Sequence, residues 1–385
     1  MTEQQFLPFA KPTISEEAIA EVVDTLRSGW LTTGPKVKKF EEILSKYHGD
    51  RQALCVSSAT AGLHLVLLSL ELKEGDEVIT TPMTFVATLN TIIQAGGKPV
   101  LVDIDPNTLN INPDSIEAAI TSRTRAIIPV HFAGLPCDMD VIYDLAKKHN
   151  LRVIEDCAHS IGATYKDKRL GSFGDIQVIS FHPNKNITTG EGGAIITNDS
   201  ALIYKLERLR FHGIDRNAFN RFSKTGTLQY DVVMPGFKYN MMDIQAALGI
   251  HQLPELAGFI EKRTVLARRY LEVLRDWEEF TLPQEPQYAH SHAWHLFTVQ
   301  LKQNAAGLDR DGLINAMKAE NIGIGLHYQS IHTFTYYSRE YGWKPDDFPN
   351  SLAAGDSVFS LPLFPTMTIQ EQDMVIKSLE KVLKK

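Results

Sequence analysis

The sequence predicts an α/β fold in which a large domain with a mostly parallel central sheet is followed by a smaller α+β domain. Three observations support this prediction. Apolar, β-branched runs alternate with helical segments from residue 53 onward, an order that produces parallel strands with helices on both faces. The 385 residues are 43% apolar and can bury a large core. The pattern changes near Gly236, so we expect a large domain over 1–250 and a small domain over 251–385.

The expected elements follow one another closely. A helix is expected from Ser15 to about Ser28, with Glu16 and Glu17 in its first turn, and a turn-rich segment follows over 30–36. Strands are expected over 53–56, 77–81, 99–104, 126–131, 152–155, 178–181 and 194–197. Helices are expected between them over 57–70, 84–95, 115–120 and 140–149. In the second part we expect helices over 253–275, 309–320 and 369–383 and a strand over 296–301.

Charge and composition exclude several classes of protein. The net charge is −7 with both signs interspersed, which predicts no nucleic-acid partner and no membrane partner. The three cysteines, Cys55, Cys137 and Cys157, form no C-x-x-C pair, as is typical of a reducing compartment. The longest nearly apolar run, 65–70, is too short to cross a bilayer. We therefore expect a soluble, cytoplasmic protein.

Two common nucleotide-binding signatures are missing from the sequence. Gly190-Glu191-Gly192 and Gly323-Ile324-Gly325 both lack the third glycine of G-x-G-x-x-G, and G-x-x-x-x-G-K-[ST] does not occur. A nicotinamide-dependent or P-loop enzyme therefore has little support. No metal site is expected. Four features at strand ends remain, and the carboxyl ends of parallel strands are where ligands bind in such sheets.

The first feature is a lysine between two predicted strands. Residues 178–197 read VISFHPNKNITTGEGGAIIT, in which a polar, glycine-rich loop carries Lys185. A rigid scaffold of this kind holds an amine steady over a cofactor. An exposed hairpin with a solvated lysine fits the same letters, so this stretch alone leaves both interpretations open.

The second feature favours binding of an anion, and the third favours binding of a cation. Residues 57–60, SSAT, lie where a strand gives way to a helix, and free amides and hydroxyls there suit a phosphate; a structural N-cap is the alternative. Asp156 follows a predicted strand in VIEDCAHS. It is either a simple cap or the partner of a cationic ring nitrogen, with His159 touching the same ring, since a buried carboxylate needs a partner to stay ionised.

The fourth feature is aromatic. Phe85 begins a predicted helix after another strand and either packs in the core or forms a platform for a flat ring. Ser180, at the end of the strand before Lys185, adds a hydroxyl to the phosphate set. Lysine, aspartate, aromatic ring and phosphate cradle together are the groups that pyridoxal phosphate requires. The lysine would form a Schiff base, and the aspartate would keep the pyridine nitrogen protonated.

Several strings resemble one family over nearly the whole chain. SGWLTTGP, VSSATAGLHL, VIEDCAHS, SFHPNKNITTGEGG and GFKYNMMDIQAALG are similar to the DegT/DnrJ/EryC1/StrS family of pyridoxal-phosphate nucleotide-sugar aminotransferases. The resemblance implies the aspartate-aminotransferase-like fold, fold type I of the pyridoxal-phosphate-dependent transferases. It also implies a homodimer whose active sites lie at the interface.

The resemblance also implies roles for individual residues. The catalytic residues would be Lys185, Asp156 and His159. The cofactor-binding residues would be Ala59, Thr60, Phe85, Asp156, His159, Ser180, Lys185 and Asn240. The substrate-binding candidates are Trp30, Thr33, His182, Lys238, His327, Tyr328 and His332. Many members of the family read G-x-N-Y-R where this chain has Lys238 and Asn240, so the division of roles between these two, expected to come from the neighbouring subunit, stays open.

Alternatives stay open for several of the substrate-binding candidates. Trp30 and Thr33 lie in a segment that is either a linker or a loop against a ligand. His182 assists Lys185 or shapes its loop. For His327, Tyr328 and His332, core or interface packing is the alternative to sugar contact. Among Arg208, Arg210, Arg216 and Arg221, the sequence does not select a partner for the carboxylate of the amino donor.

The resemblance implies a transaminase reaction. L-glutamate would leave its amino group on the cofactor as pyridoxamine phosphate, which would then aminate C4 of a UDP-4-keto sugar. HAWHLF, GIGLHYQSIH and SLPLFPTMT resemble the subgroup that makes UDP-4-amino-4-deoxy-L-arabinose from a UDP-4-keto-pentose for lipid A of lipopolysaccharide. The main alternative is a 4-keto-6-deoxyhexose, UDP- or dTDP-linked, for surface polysaccharide or glycan synthesis. A non-catalytic sensor that binds the cofactor is a further alternative.

Overall fold

A computed structural model describes residues 6–215, 229–303 and 307–384. Within these ranges, the α-helices are α1 (Glu16–Ser28), α2 (Pro35–Tyr47), α3 (Ala59–Ser69), α4 (Val86–Gln94), α5 (Pro113–Ala119), α6 (Met139–His149), α7 (Ser200–Leu209), α8 (Asp243–Val273), α9 (Arg310–Ala319), α10 (Thr335–Tyr341), α11 (Pro349–Ser357) and α12 (Ile369–Val382). None of these helices is both long enough and apolar enough to span a membrane.

The β-strands form three sheets. In the same ranges they are β1 (Gln52–Val56), β2 (Glu77–Thr80), β3 (Lys98–Leu101), β4 (Thr124–Ile127), β5 (Arg152–Asp156), β6 (Thr164–Tyr165), β7 (Lys168–Arg169), β8 (Ile176–Ser180), β9 (Gly193–Thr197), β10 (Phe280–Thr281), β11 (His290–Ser291), β12 (Phe297–Leu301) and β13 (Val358–Leu361). The large sheet has the order β1-β9-β8-β5-β4-β2-β3. Two small sheets have the orders β10-β12-β13 and β11-β6-β7.

The predicted α/β fold with a mostly parallel central sheet is confirmed. Strands β3, β2, β4, β5 and β8 pair in parallel, because helices connect most of them. Strand β9 runs antiparallel to both β8 and β1. It is reversed because β8 and β9 are joined directly by the loop over 181–192, with no helix to return the chain.

Helix α3 packs against the large sheet through a glycine. Leu63, Leu65, Val66 and Leu67 are all buried although they face different sides of the helix, as expected for a helix covered by both sheet and neighbouring helices. A Cβ at Gly62 would lie 2.8 Å from Val178 Cγ1. The missing side chain therefore lets the helix approach β8 and sets where its N-terminus meets the edge of the sheet.

Helix α2 was not among the predicted elements. It begins at Pro35, inside the segment predicted to be turn-rich, and proline is well suited to a first helical position. The carboxylate of Asp243, the first residue of α8, accepts hydrogen bonds from the backbone amides of Lys36 and Val37 at 3.1 and 3.0 Å. A residue more than 200 positions away thus supplies the N-terminal partner that the local sequence lacks.

The second part of the chain packs around its own apolar cluster. Sheet β10-β12-β13 is antiparallel, and Phe297 and Phe359 of this sheet are fully buried in one cluster with Tyr270 of α8. Helix α8 is continuous for 31 residues and passes through position 250, where we predicted the division between domains. The division into two domains stays a prediction.

Candidate active site

A cavity of about 400 Å³ opens at the edge of the large sheet where the parallel strands end. Its walls come from the start of α3, the start of α4, the ends of β5 and β8, the loop between β8 and β9, and a segment after α9. The lining residues are Ser58, Ala59, Thr60, Leu63, Thr84, Phe85, Ala87, Thr88, Val130, Asp156, Ala158, His159, Ser180, His182, Asn184, Lys185, Glu191, Leu326, His327 and Tyr328. The four strand-end features of the sequence therefore meet in one place.

Lys185 lies in the loop between β8 and β9, where its backbone amide donates to His182 O at 2.9 Å. Burial lowers the pKa of its amine to about 8, and the negative charge of Asp156 opposes that shift. The Nζ atom lies 3.4 Å from His295 Nε2. An amine with a pKa near neutrality loses and regains a proton readily, which is what a nucleophile and proton carrier requires.

Asp156 ends β5 and is 6% exposed. Its carboxylate accepts hydrogen bonds from Thr88 Oγ1 and from the Ala158 amide, both at 3.1 Å. Burial raises the pKa of this carboxyl, although these two hydrogen bonds and the Lys185 charge partly offset the rise. A cationic ring nitrogen in the cavity would supply the positive charge that keeps a buried carboxylate ionised. Asp156 thus fits a pyridinium.

His159 is buried and neutral at this site. Its Nδ1 accepts a hydrogen bond from the Ala133 amide at 3.3 Å, so the ring proton lies on Nε2, 2.9 Å from the hydroxyl of Tyr328. Burial, followed by the charge of Lys185, holds the pKa of His159 well below its usual range. The pair joins the end of β5 to the segment after α9, so the cavity is walled by both parts of the chain.

The start of α3 offers a place for a phosphate. The Ser58 hydroxyl accepts from the Ala61 amide at 3.0 Å, which leaves the amides of Ala59 and Thr60 without acceptors within the helix. Gly193 pairs with Ser180 across the sheet, and a Cβ at Gly193 would lie 2.6 Å from Ala59 N. The missing side chain therefore brings the Ser180 strand end against the free amides, as an anion cradle requires.

Phe85 supplies an aromatic surface that the described residues leave largely exposed. The side chain is 58% exposed although it is large and apolar, and its ring centroid lies 6.2 Å from that of Tyr328. A flat, aromatic ligand in the cavity would bury this ring. Together with the carboxylate and the amides, it makes the lining fit a phosphorylated pyridine.

A second polar cluster, formed by Thr33, Lys238 and Asn240, lies outside the cavity lining. Lys238 Nζ donates to Asn240 Oδ1 at 2.7 Å, and Asn240 Nδ2 donates to Thr33 Oγ1 at 2.5 Å. Trp30 borders the cluster through its indole N–H, which donates to Thr33 O at 3.2 Å. The structure brings these four predicted residues together, but not into the cavity of their own chain.

The three histidines predicted to contact substrate separate into two groups. His182 and His327 line the cavity, as does Tyr328. His332 does not, because it is completely buried and its ring nitrogens are paired with Ser330 Oγ at 2.8 Å and Pro345 O at 2.9 Å. The alternative of core packing therefore describes His332.

The arginines near the cavity in sequence are already paired or lie outside the described residues. Arg208 pairs with Asp215 at 2.9 Å, and Arg210 pairs with Glu41 at 2.6 Å. Arg216 and Arg221 lie outside the described residues. Within the described ranges, the cavity lining contains no arginine.

Sequence reasoning missed Thr88, Leu326 and His295. Thr88 lies one helical turn after Phe85, so the spacing of the helix gave a usable signal. His295 lies within HAWHLF, a string that the sequence marks only as part of the resemblance. Leu326 precedes His327 and carries no chemical signal of its own. Contacts of His295 and Leu326 with the first part of the chain are tertiary, and no local pattern encodes them.

Comparisons with known proteins identify the family of this chain and relatives with the same fold. A model of the DegT/DnrJ/EryC1/StrS aminotransferase family matches residues 12–380. The spore coat polysaccharide biosynthesis protein SpsC of Bacillus subtilis is 44% identical over 98% of this chain and 97% of its own. The pyridoxal-phosphate form of the putative sugar aminotransferase Spr1654 of Streptococcus pneumoniae superposes with a TM-score of 0.90, at 33% identity over 98% of this chain and 99% of that one. PseC of Helicobacter pylori, an aminotransferase of pseudoaminic acid biosynthesis, gives 0.91, at 29% identity over 99% and 100%.

Proposed function

This chain belongs to the DegT/DnrJ/EryC1/StrS aminotransferase family, and from that premise we propose that it transfers the amino group of L-glutamate to C4 of a UDP-4-keto sugar. It is a sugar aminotransferase with the fold of the pyridoxal-phosphate-dependent transferases, and its cofactor is pyridoxal phosphate. The observation that carries the proposed transamination is that the Lys185 amine and the Asp156 carboxylate face one cavity.

The residues that would hold the cofactor are those whose chemistry fits its parts. The phosphate would lie at the amides of Ala59 and Thr60 and the hydroxyl of Ser180, where the positive end of α3 favours an anion. Asp156 would hold the ring nitrogen and Phe85 would cover the ring. When bound, pyridoxal phosphate supplies an electron-withdrawing ring that stabilises negative charge on an attached substrate carbon.

Lys185 would attach the cofactor and carry a proton during transamination. Its amine has a pKa of about 8, so near neutral pH it would take up a proton from the substrate carbon and deliver it to the cofactor carbon, and would do the reverse in the second half-reaction. Asp156 would stay ionised opposite the ring nitrogen. His159, held by Ala133 and Tyr328, would border the ring without adding a charge.

Two keto sugars are candidates for the amino acceptor. A UDP-4-keto-pentose, giving UDP-4-amino-4-deoxy-L-arabinose for lipid A, follows from the strings in the second part of the chain. The alternative is a 4-keto-6-deoxyhexose for surface polysaccharide or glycan synthesis, and the names of SpsC, a spore coat polysaccharide biosynthesis protein, and of PseC, an aminotransferase of pseudoaminic acid biosynthesis, agree with a role of that kind. Rates with the two keto sugars, measured side by side with glutamate as donor, decide between them.

The second polar cluster supports a homodimer with shared active sites. Lys238 and Asn240 belong to the predicted cofactor and substrate set but lie outside the cavity of their own chain, so we propose that they complete the cavity of a second copy. We also propose that the enzyme acts in the cytoplasm, where its nucleotide-sugar substrates would be made.

The decisive experiment concerns Lys185. The purified protein should be yellow, and borohydride should fix the cofactor to the peptide that contains Lys185. Lys185→Ala should reduce glutamate-dependent amination to background while leaving the fold intact by circular dichroism. Full activity of this variant, or fixation at another lysine, would contradict the proposal.

A further inference from the structure

His295 contacts the Lys185 amine from outside the loop that carries the lysine. We propose that His295 is a positioning residue, a neutral imidazole that accepts a hydrogen bond from Lys185 and holds the amine toward the cavity. The Nε2 and Nζ atoms lie 3.4 Å apart, and His295 is 3% exposed. This inference rests on the proposed function, in which Lys185 is the reacting amine.

The backbone at the residue before His295 has an uncommon conformation that orients the His295 ring. Trp294 has a φ of +46°, in the left-handed region that a bulky residue rarely adopts. Its amide donates to His292 Nδ1 at 2.8 Å, and the two rings stack with centroids 4.0 Å apart. The tryptophan is therefore held in an unfavourable conformation by its neighbours, and the ring of the next residue reaches the Lys185 amine.

The segment that carries His295 is tied both to the lysine loop and to α8. Asn186, the residue after Lys185, donates from Nδ2 to Ala293 O at 2.7 Å. The buried Arg263 of α8 donates from Nη1 to His295 O at 3.2 Å. Amine and imidazole are thus fixed side by side by contacts that do not depend on their own hydrogen bond.

The charge state of His295 decides the direction of the hydrogen bond. Burial, then the charge of Lys185, hold the pKa of His295 well below its usual range, so the ring is neutral. A lysine ammonium can only donate, so Nε2 must accept, and the ring proton lies on Nδ1.

The same tautomer also serves the neutral amine. A neutral Lys185 can donate one N–H to His295 Nε2 and keep its lone pair free for the substrate carbon. Among the described residues, His295 Nδ1 has no hydrogen-bond partner, so the contact with Lys185 alone selects the tautomer. The ring need not change when the amine gains or loses its proton.

The test is the titration of Lys185 in the cofactor-free protein. Trace acetylation by acetic anhydride over a pH series, read by mass spectrometry of the peptide with Lys185, reports the pKa of this amine. His295→Phe removes the acceptor, which stabilises the ammonium more than the amine, so the pKa of Lys185 should fall by roughly half a unit. His295→Gln, which keeps an acceptor, should restore most of that change.

A matched control and a second measurement complete the test. His290→Phe removes an imidazole from β11, five residues before His295, and should leave the titration of Lys185 unchanged. An unchanged pKa in His295→Phe would overturn the proposal, and so would a raised one, which would mean that the ring had been cationic.

The wild-type protein gives an independent answer if the variants do not fold. The ¹⁵N shifts of the His295 ring should report a neutral imidazole protonated on Nδ1, whereas a cation or an Nε2–H ring would refute the inference. Neither measurement uses cofactor or keto sugar, so both remain readable if the proposed transamination fails.

Discussion

Glu155 and Asp156 are consecutive carboxylates of β5 that face opposite sides of the large sheet. The two carboxylates differ in how many hydrogen-bond donors surround them. Glu155 is completely buried and receives hydrogen bonds from His131 Nε2 at 3.0 Å, Tyr143 Oη at 2.6 Å and the amide of Gln177. Asp156 has a hydroxyl and one backbone amide, and the rest of its surroundings is the cavity. A buried carboxylate whose oxygens all accept hydrogen bonds stabilises a fold, whereas a carboxylate with too few hydrogen-bond donors around it is available to a ligand.

The largest expected effect is on the cavity side. Asp156→Asn removes the charge that would keep the ring nitrogen protonated, so we expect kcat to fall roughly 10³-fold, equivalent to about 4 kcal/mol in the barrier. Steady-state kinetics and the absorption spectrum of the bound cofactor measure this change. A loss below tenfold would mean that Asp156 is not the partner of the ring nitrogen.

The same substitution one residue earlier should act on the fold instead. Glu155→Gln replaces one acceptor oxygen with a donor that faces either His131 or Tyr143, and an unsatisfied buried group costs about 1–3 kcal/mol. The free energy of unfolding in urea should fall by that amount, with kcat within a few-fold of the wild type. If Glu155→Gln impaired kcat as strongly as Asp156→Asn, the distinction between the two sides would be lost.

A smaller effect is expected where the fold supports Asp156. Thr88→Val preserves shape but removes the hydroxyl that donates to Asp156 Oδ2, so kcat/KM should fall about tenfold or less. Thr91→Val is the matched control, because within the described ranges the Thr91 hydroxyl bonds only backbone carbonyls of the same helix. Equal losses in the two variants would show that the helix, and not the carboxylate, was disturbed.

The smallest effect concerns stability against pH without cofactor. Because the pKa of Asp156 is raised by folding, its ionised form disfavours the folded state, and this penalty disappears as pH falls through the raised pKa. Asp156→Asn should therefore unfold at a higher temperature than the wild type at neutral pH, and the difference should shrink toward about pH 4. A variant less stable than the wild type at neutral pH would contradict the assigned direction.

Much of the first part of the chain follows from its sequence. Strand–helix alternation predicted the parallel strands, and the strand ends predicted that Phe85, Asp156, Ser180 and Lys185 would meet, because parallel topology brings these positions to one edge. The antiparallel direction of β9 depends on its direct connection to β8. The alternation of strands and helices predicts parallel strands and therefore does not predict this direction.

The contribution of the second part was less predictable. His327 and His332 lie in one string with similar surroundings in sequence, yet one lines the cavity and the other is enclosed by Ser330 and Pro345. Which of them faces the cavity is decided by how the segment docks on the first part, with the Ile331 amide bonded to Pro82 O at 3.0 Å. Docking of this kind has no periodic signature.

Helix α8 gives the molecule a fixed internal spacing. Its 31 residues span about 46 Å, with Asp243 fastened to the start of α2 at one end and Arg263 fastened to the His295 segment farther along. One added residue between these anchor points would turn the far end by about 100° and push it about 1.5 Å outward, so Arg263 would lose its carbonyls. Insertions and deletions should therefore be tolerated in the surface loops of this enzyme but not in α8 between Asp243 and Arg263.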